Sequence, residues 1–295
     1  MLVQTACRAT TDPRLLLKRL LETHAKAIGR PRAVVAFLER REMTAGGADE
    51  MRRVGEFLNS HGMETYYGDP RDLELRNGEI MLKDAVVDLI YRDFALEEVV
   101  SIDQHGGRVE AMKRAFERNQ VVSDLTGEFD HKSLFELLSN PEFARYFTPS
   151  QRRTFRDIIP WTRLVRPRTT TDPKGREVDL PDYLRTHREH LVLKPNRGYG
   201  GEDVVIGVDA AQGPWEEAVG KALAKPDAWV AQELVALPRV EFLNGHGSEP
   251  AIGKEFVTLG FIATPDGISF IGRSFTDRIV NITRGGSLVP VFCVR

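Results

Sequence analysis

The chain is short of cysteine, of long apolar runs and of any excess of positive charge. Its two cysteines, Cys7 and Cys293, lie near opposite ends of 295 residues, which excludes a disulfide framework. No apolar run approaches the ~20 residues that a membrane span requires. The N-terminus has no apolar signal-peptide core, because Arg8, Asp12, Arg14, Lys18 and Arg19 interrupt it. Lys plus Arg number 41 against 43 Asp plus Glu, a net charge of −2, which argues against a dedicated binder of nucleic acid or of anionic membranes. There is also no G-x-x-x-x-G-K-[ST] phosphate loop. The expectation is a cytoplasmic protein, in which the Asn281-Ile-Thr283 sequon has no role. Its length suits two moderate domains, or one core with a lid.

What the chain does contain is Leu191-Val-Leu-Lys194-Pro-Asn-Arg-Gly198-Tyr-Gly200-Gly201-Glu-Asp-Val-Val-Ile206. A lysine closes an apolar strand, glycines follow, and a second β-branched strand returns. Glycines let backbone N–H groups come close to an anion, and lysine adds a cation on a long stem. Strand, lysine, Gly-rich turn and strand make a grip on phosphate. The same spacing suits a tight hairpin with a surface lysine, and the segment alone leaves both readings open.

The first half alternates strands and helices. An amphipathic helix is predicted over 13–27 and a continuously apolar strand over 33–38. A helix follows from Asp49 to Leu58, with Met51, Val54, Phe57 and Leu58 at helical spacing and Gly62 closing it. Strands are predicted over 63–67 and 86–91. This alternation implies a parallel sheet with helices on its faces, where ligands gather at C-terminal strand ends. Arg92 and Asp93 stand at such an end; the plainer reading of Arg92 is an ion pair with Asp93 or Asp88. A polar loop then leads into a helix starting near Asp130, with Lys132 in its first turn. A cation there opposes the helix dipole unless an anion is near. Another helix begins at Pro149, and the basic stretch Arg166–Gly175 within 166–180 reads as a linker.

From Leu191 the pattern is mainly β, with one helix over 213–224, a strand over 228–235, and a hairpin turning at Thr264-Pro-Asp-Gly267. His187 and His190 lack a third partner and do not read as a zinc site. The fold class expected is α/β followed by α+β.

In order, Val87-Asp-Leu-Ile-Tyr-Arg92, His131-Lys132, Pro160-Trp-Thr-Arg163, Val178-Asp-Leu180, Val192-Leu-Lys-Pro195 with Gly198 to Gly201, Trp215-Glu-Glu, Val230-Ala-Gln-Glu-Leu-Val235, and Arg278-Ile-Val-Asn281 with Gly285-Gly286 resemble the circularly permuted type 2 ATP-grasp proteins, a group similar to glutathionylspermidine synthases. The resemblance covers about residues 30–295. It implies an N-terminal helical segment over 1–29, a pre-ATP-grasp-like parallel α/β domain over 30–120 and an ATP-grasp region over 121–295 with mainly antiparallel sheets.

The resemblance also implies a site. Lys132 and Lys194 would contact ATP phosphates, with Gly198, Gly200 and Gly201 as the loop closing over them. Gln232, Glu233 and Val235 would form an adenine hinge offering backbone hydrogen bonds. Asn281 would hold Mg²⁺, with Asp277 and Glu255 as candidate carboxylates; Thr258 stands where the family pattern suggests an acid. Arg278 and Arg284 would face the transferring phosphate, and Arg92 and Arg163 the substrate. The bland readings are that Gln232 and Glu233 are polar residues at a strand exit and that Asn281 is an outward strand residue. The activity implied is ADP-forming ligation of small-molecule or peptide carboxylates with amines; the alternative is a nucleotide-binding or scaffold protein with reduced catalysis. Because the N-terminus is short for this family, the resemblance implies either a minimal form or an acceptor-site segment that is absent or supplied by a partner chain.

Overall fold

The computed structural model describes residues 7–9, 11–44, 50–123, 131–198, 200–244, 251–280 and 285–294. The chain forms two compact units, one of residues 1–128, 259–272 and 290–295, the other of residues 129–258 and 273–289.

In the first unit, β1 (Cys7–Ala9) pairs antiparallel with Phe292–Val294. Helix α1 (Pro13–Ala27) has the bounds expected from sequence. Asp12 caps it by accepting the Arg14 N–H at 2.9 Å, and Pro13 fits the first turn because its missing N–H has no partner there anyway. There follow β2 (Val35–Leu38), α2 (Arg41–Thr44), α3 (Glu50–Ser60), β3 (Thr65–Gly68), β4 (Leu73–Arg76), β5 (Glu79–Leu82), β6 (Ala85–Val86), β7 (Leu89–Arg92), α4 (Leu96–Gln104), α5 (Glu110–Glu117) and β8 (Val121–Val122). Strands β3-β2-β7-β8 form the parallel sheet that the alternation predicts. Successive β2 residues serve opposite faces, as strand geometry requires. Val35 and Phe37 pack with Leu21, Met51 and Leu58 of α1 and α3. Ala36 and Leu38 pack with Val99, Ile102 and Met112 of α4 and α5.

Two expectations change here. The strand predicted from Val86 begins at Leu89, because Val86 pairs with Met81 in the separate antiparallel sheet β4-β5-β6. That sheet turns at Asn77-Gly78, both in left-handed backbone (φ +52° and +82°). The tip of the later hairpin, 259–272, belongs to this unit, where the Ser269 hydroxyl donates to the Thr11 carbonyl.

The second unit holds α6 (Leu134–Ser139), α7 (Pro149–Ile158), β9 (Thr162–Leu164), β10 (Thr169–Thr171), β11 (Glu177–Asp179), α8 (Leu180–Thr186), β12 (Leu191–Pro195), β13 (Val205–Ile206), α9 (Gln212–Ala224), β14 (Trp229–Glu233) and β15 (Arg239–Asn244). Then come β16 (Ala251–Thr264), β17 (Gly267–Phe275), β18 (Ser287–Val289) and, back in the first unit, β19 (Phe292–Val294). Strands β13-β12-β14-β9 form an antiparallel sheet over a core of Trp161, Leu184, Leu193, Trp215, Val219 and Ala231. A second sheet runs β15-β16-β17-β18. The stretch read as a basic linker is instead the hairpin β10–β11, held by Thr170↔Val178 pairing and by Asp172 accepting the N–H groups of Lys174 and Arg176. The described residues therefore form a mixed α/β protein with one parallel sheet and several antiparallel ones.

Candidate functional site

Strand β12 delivers Lys194 to a cavity of about 380 Å³ in the second unit. Its apolar wall includes Val192, Val204, Ile206, Leu234, Leu237 and Ile279, and its polar residues include Lys132, Lys194, Glu202, Gln232, Glu233 and Arg278. Gly198, Gly200, Gly201 and Val235 also line it. Expected phosphate, loop and hinge residues thus share one cavity with Arg278.

The Lys194 ammonium donates to Gln232 Oε1 at 2.7 Å. Gln232 is held in turn, its Nε2 donating to Thr162 Oγ1 at 2.9 Å, and that hydroxyl donating to the Pro160 carbonyl at 3.0 Å. Among the described residues no carboxylate lies within ion-pair range of Lys194. Burial, and then the neighbouring Lys132, push the Lys194 ammonium below the usual lysine range. A second cation next to a half-buried, uncompensated one is unfavourable unless an anion joins them.

Lys132 reaches the same place from another direction. The helix expected near Asp130 begins at Leu134, so Lys132 precedes it, and Asp130 lies outside the described residues. The segment is fixed by Asn196, whose carbonyl accepts the Lys132 N–H (3.0 Å) and whose Oδ1 accepts the Ser133 N–H (2.9 Å). Lys132 Nζ then donates to the Gly198 carbonyl at 2.7 Å. Sequence reading passed over Asn196 and Thr162, which act through contacts 63 and 70 positions away along the chain.

The loop glycines are needed as glycines. Gly200 and Gly201 have φ of +74° and +76°, and a Cβ on Gly201 would meet Ile279 Cγ2 at 2.6 Å. At the hinge, the Glu233 N–H is spent on the Trp161 carbonyl and the Leu234 N–H on the His190 carbonyl, both at 2.8 Å. Val235, exposed and without a hydrogen-bond partner among the described residues, is the residue left to offer its N–H to a ligand. Arg278 is steadied by Asp209 (3.2 Å) and by the Phe256 ring, 5.1 Å from its guanidinium carbon.

The remaining candidates fall elsewhere or are undescribed. Arg163 is fully buried and lines a different cavity. Arg92, in the first unit, donates to the carbonyls of Ser123 and Phe94, both at 2.5 Å, while Asp88 pairs with Arg30 at 3.0 Å. Asn281 and Arg284 lie outside the described residues. Asp277 is exposed and accepts the Ile279 N–H (3.4 Å), and Glu255 faces Val240 across the β15–β16 ladder. Among the described residues no three His, Cys, Asp or Glu side chains group as a metal centre. His187 stacks on Tyr183 at 4.1 Å.

A cavity with a cationic end, a glycine-rich edge and an apolar wall is suited to a ligand that is polyanionic at one end and flat and apolar at the other. No family model matches the sequence. A protein of Frankia casuarinae provisionally named glutamate–cysteine ligase 2-2 is 41% identical over 56 residues, 19% of this chain and 6% of that protein. The solved apo structure of a glutathione synthetase-like effector from Globodera pallida is similar with a TM-score of 0.48 at 12% identity, covering 95% of this chain and 56% of that one. The chain thus spans about half of that solved relative and aligns with a small fraction of the curated one. No helix among the described residues is long and apolar enough to cross a membrane.

Proposed function

We propose that the chain is an ATP-dependent carboxylate–amine ligase of the ATP-grasp type, with ATP held in the Lys194 cavity. The observation that carries this reading is that Lys194, Lys132 and Gly198 line one cavity, with no carboxylate among the described residues in range of Lys194. A triphosphate supplies the charge that Lys194 lacks among the described residues, and the apolar wall takes the base beside Val235. The Frankia relative, provisionally named a glutamate–cysteine ligase, is in keeping with this over the 56 matched residues.

In the proposed reaction a substrate carboxylate oxygen attacks the γ-phosphorus and the bond to the bridging oxygen breaks, releasing ADP. An amine nitrogen then attacks the acyl carbon, phosphate leaves, and the amine gives up a proton. The protein contributes positioning and charge neutralisation, from Lys132, Lys194 and Arg278. Mg²⁺ would neutralise phosphate oxygens; it needs only one or two protein oxygens besides those of the nucleotide, a role for which Asp277, Glu255 and Asn281 are the candidates.

The test is thermal unfolding with and without Mg²⁺-ATP, on the wild type and Lys194→Ala, followed by an assay of ADP release with panels of carboxylates and amines. Ligand at 100 times its dissociation constant should add about 2.7 kcal/mol of stability to the wild type. That shift should vanish in the variant. Binding without turnover on any pair would favour the alternative of a nucleotide-binding protein with lost catalysis, and no shift in either protein would sink the nucleotide site.

A further inference from the structure

A second cavity of about 350 Å³ lies in the same unit, between α7 and the β10–β11 hairpin. Its floor is Arg163, fully buried and stacked on Trp161 with its guanidinium carbon 5.0 Å from the ring. Arg163 donates to the hydroxyls of Thr170 and Thr171 at 2.9 Å and to the Thr162 carbonyl at 2.7 Å, and no carboxylate among the described residues pairs with it. Glu136, whose charge acts on it, is bonded to Arg168 at 2.6 Å. Burial lowers the Arg163 guanidinium to about 10. A buried charge held only by neutral groups is costly, and the protein keeps it beside an open space.

Two further guanidiniums border that space. Arg152 and Arg156, one turn apart on α7, line the cavity, and among the described residues neither guanidinium has a hydrogen-bond or ion-pair partner. The apolar lining includes Phe147 and Phe155, packed edge to face at 5.0 Å. Of the two carboxylates present, Asp172 is saturated by Arg176 (2.7 Å) and two backbone N–H groups. Glu233 stands on the rim, where it opposes a second negative charge on a ligand.

We propose that this second cavity binds a monocarboxylate carried on an aromatic or branched aliphatic body. The carboxylate meets Arg152 and Arg156 as charge-assisted hydrogen bonds, and the body lies against Phe147, Phe155 and Trp161. The assignment does not depend on nucleotide binding, since none of these three arginines lines the Lys194 cavity.

The test is a titration with phenylacetate, read by the indole N–H signal of Trp161, which donates to the Thr171 carbonyl at 2.7 Å and is identified with Trp161→Phe. Saturable binding is expected. The double variant Arg152→Gln with Arg156→Gln, both exposed and so tolerated by the fold, should bind about tenfold or more weakly. Neutral phenylacetamide and inorganic phosphate should each bind more weakly than phenylacetate. No saturable change, equal affinity in the double variant, or phosphate binding as well as phenylacetate would overturn the assignment.

Discussion

Lys194 carries a charge that, among the described residues, is compensated by one amide oxygen and nothing stronger. Two consequences follow from its depressed ammonium. Folding costs this group part of its hydration, and the unfolded chain holds the proton more tightly than the folded one does. Between the lowered folded value and the ordinary one, the unfolded state therefore binds more protons, and this residue's contribution to stability rises with pH across that window. Below the window the penalty is present in full. Lys194→Met should leave the ligand-free protein at least as stable near neutral pH, with a gain between zero and the ~4 kcal/mol seen when buried charges give way to apolar side chains. The gain should shrink as pH rises through the alkaline range. Affinity for Mg²⁺-ATP runs the other way, falling in the wild type as pH rises through the lowered Lys194 value. Urea titrations and thermal shifts over this range check both; a variant clearly less stable than the wild type would show that the ammonium is compensated after all.

Asn196 joins elements that local sequence does not connect. Its side chain accepts the Ser133 N–H at 2.9 Å and donates to the Asp227 carbonyl at 3.1 Å, tying the segment before α6 and the turn before β14 to the end of β12. Asn196→Ala leaves two groups unmet and should cost about 1–3 kcal/mol in urea unfolding. It should also weaken Mg²⁺-ATP binding, although Asn196 does not line the cavity, because the segment that carries Lys132 loses its Ser133 anchor. A loss of stability with unchanged affinity would separate Lys132 from the site. This tie also explains what could be read from the sequence. Helix α1 was legible because Asp12, Pro13 and the spacing of Leu16 and Leu21 are local signals. The alternating strands gave the parallel sheet, and Lys194 with its glycines marked the cavity. The β4–β5 turn carried a readable Asn77-Gly78 signal that was passed over. The β10–β11 hairpin hid in a basic stretch whose pairing depends on Asp172 folding back on Arg176. The Gln232–Thr162 and Ser133–Asn196 bonds exist only once distant strands meet, so no local pattern announces them.

At the scale of the whole molecule, neither compact unit is a single stretch of chain, since 259–272 and 290–295 return to the unit begun by 1–128. A cut after residue 128 would therefore strip the first unit of the Ser269 bond to Thr11. The candidate cavity belongs wholly to the second unit. Hydrogen exchange with and without Mg²⁺-ATP can then report on location and cooperativity together. Amides of β12–β13, of residues 230–237 and around Ile279 should slow on nucleotide addition, by local protection at the cavity. Amides of β2, β3 and β7 exchange through larger openings. They should slow only if the units unfold as one, in which case saturating nucleotide raises the opening free energy of both by the same ~2.7 kcal/mol at 100 times the dissociation constant. If the units open separately, β2, β3 and β7 should be indifferent to nucleotide. Protection confined to the first unit, around Arg92, would move the nucleotide out of the Lys194 cavity altogether.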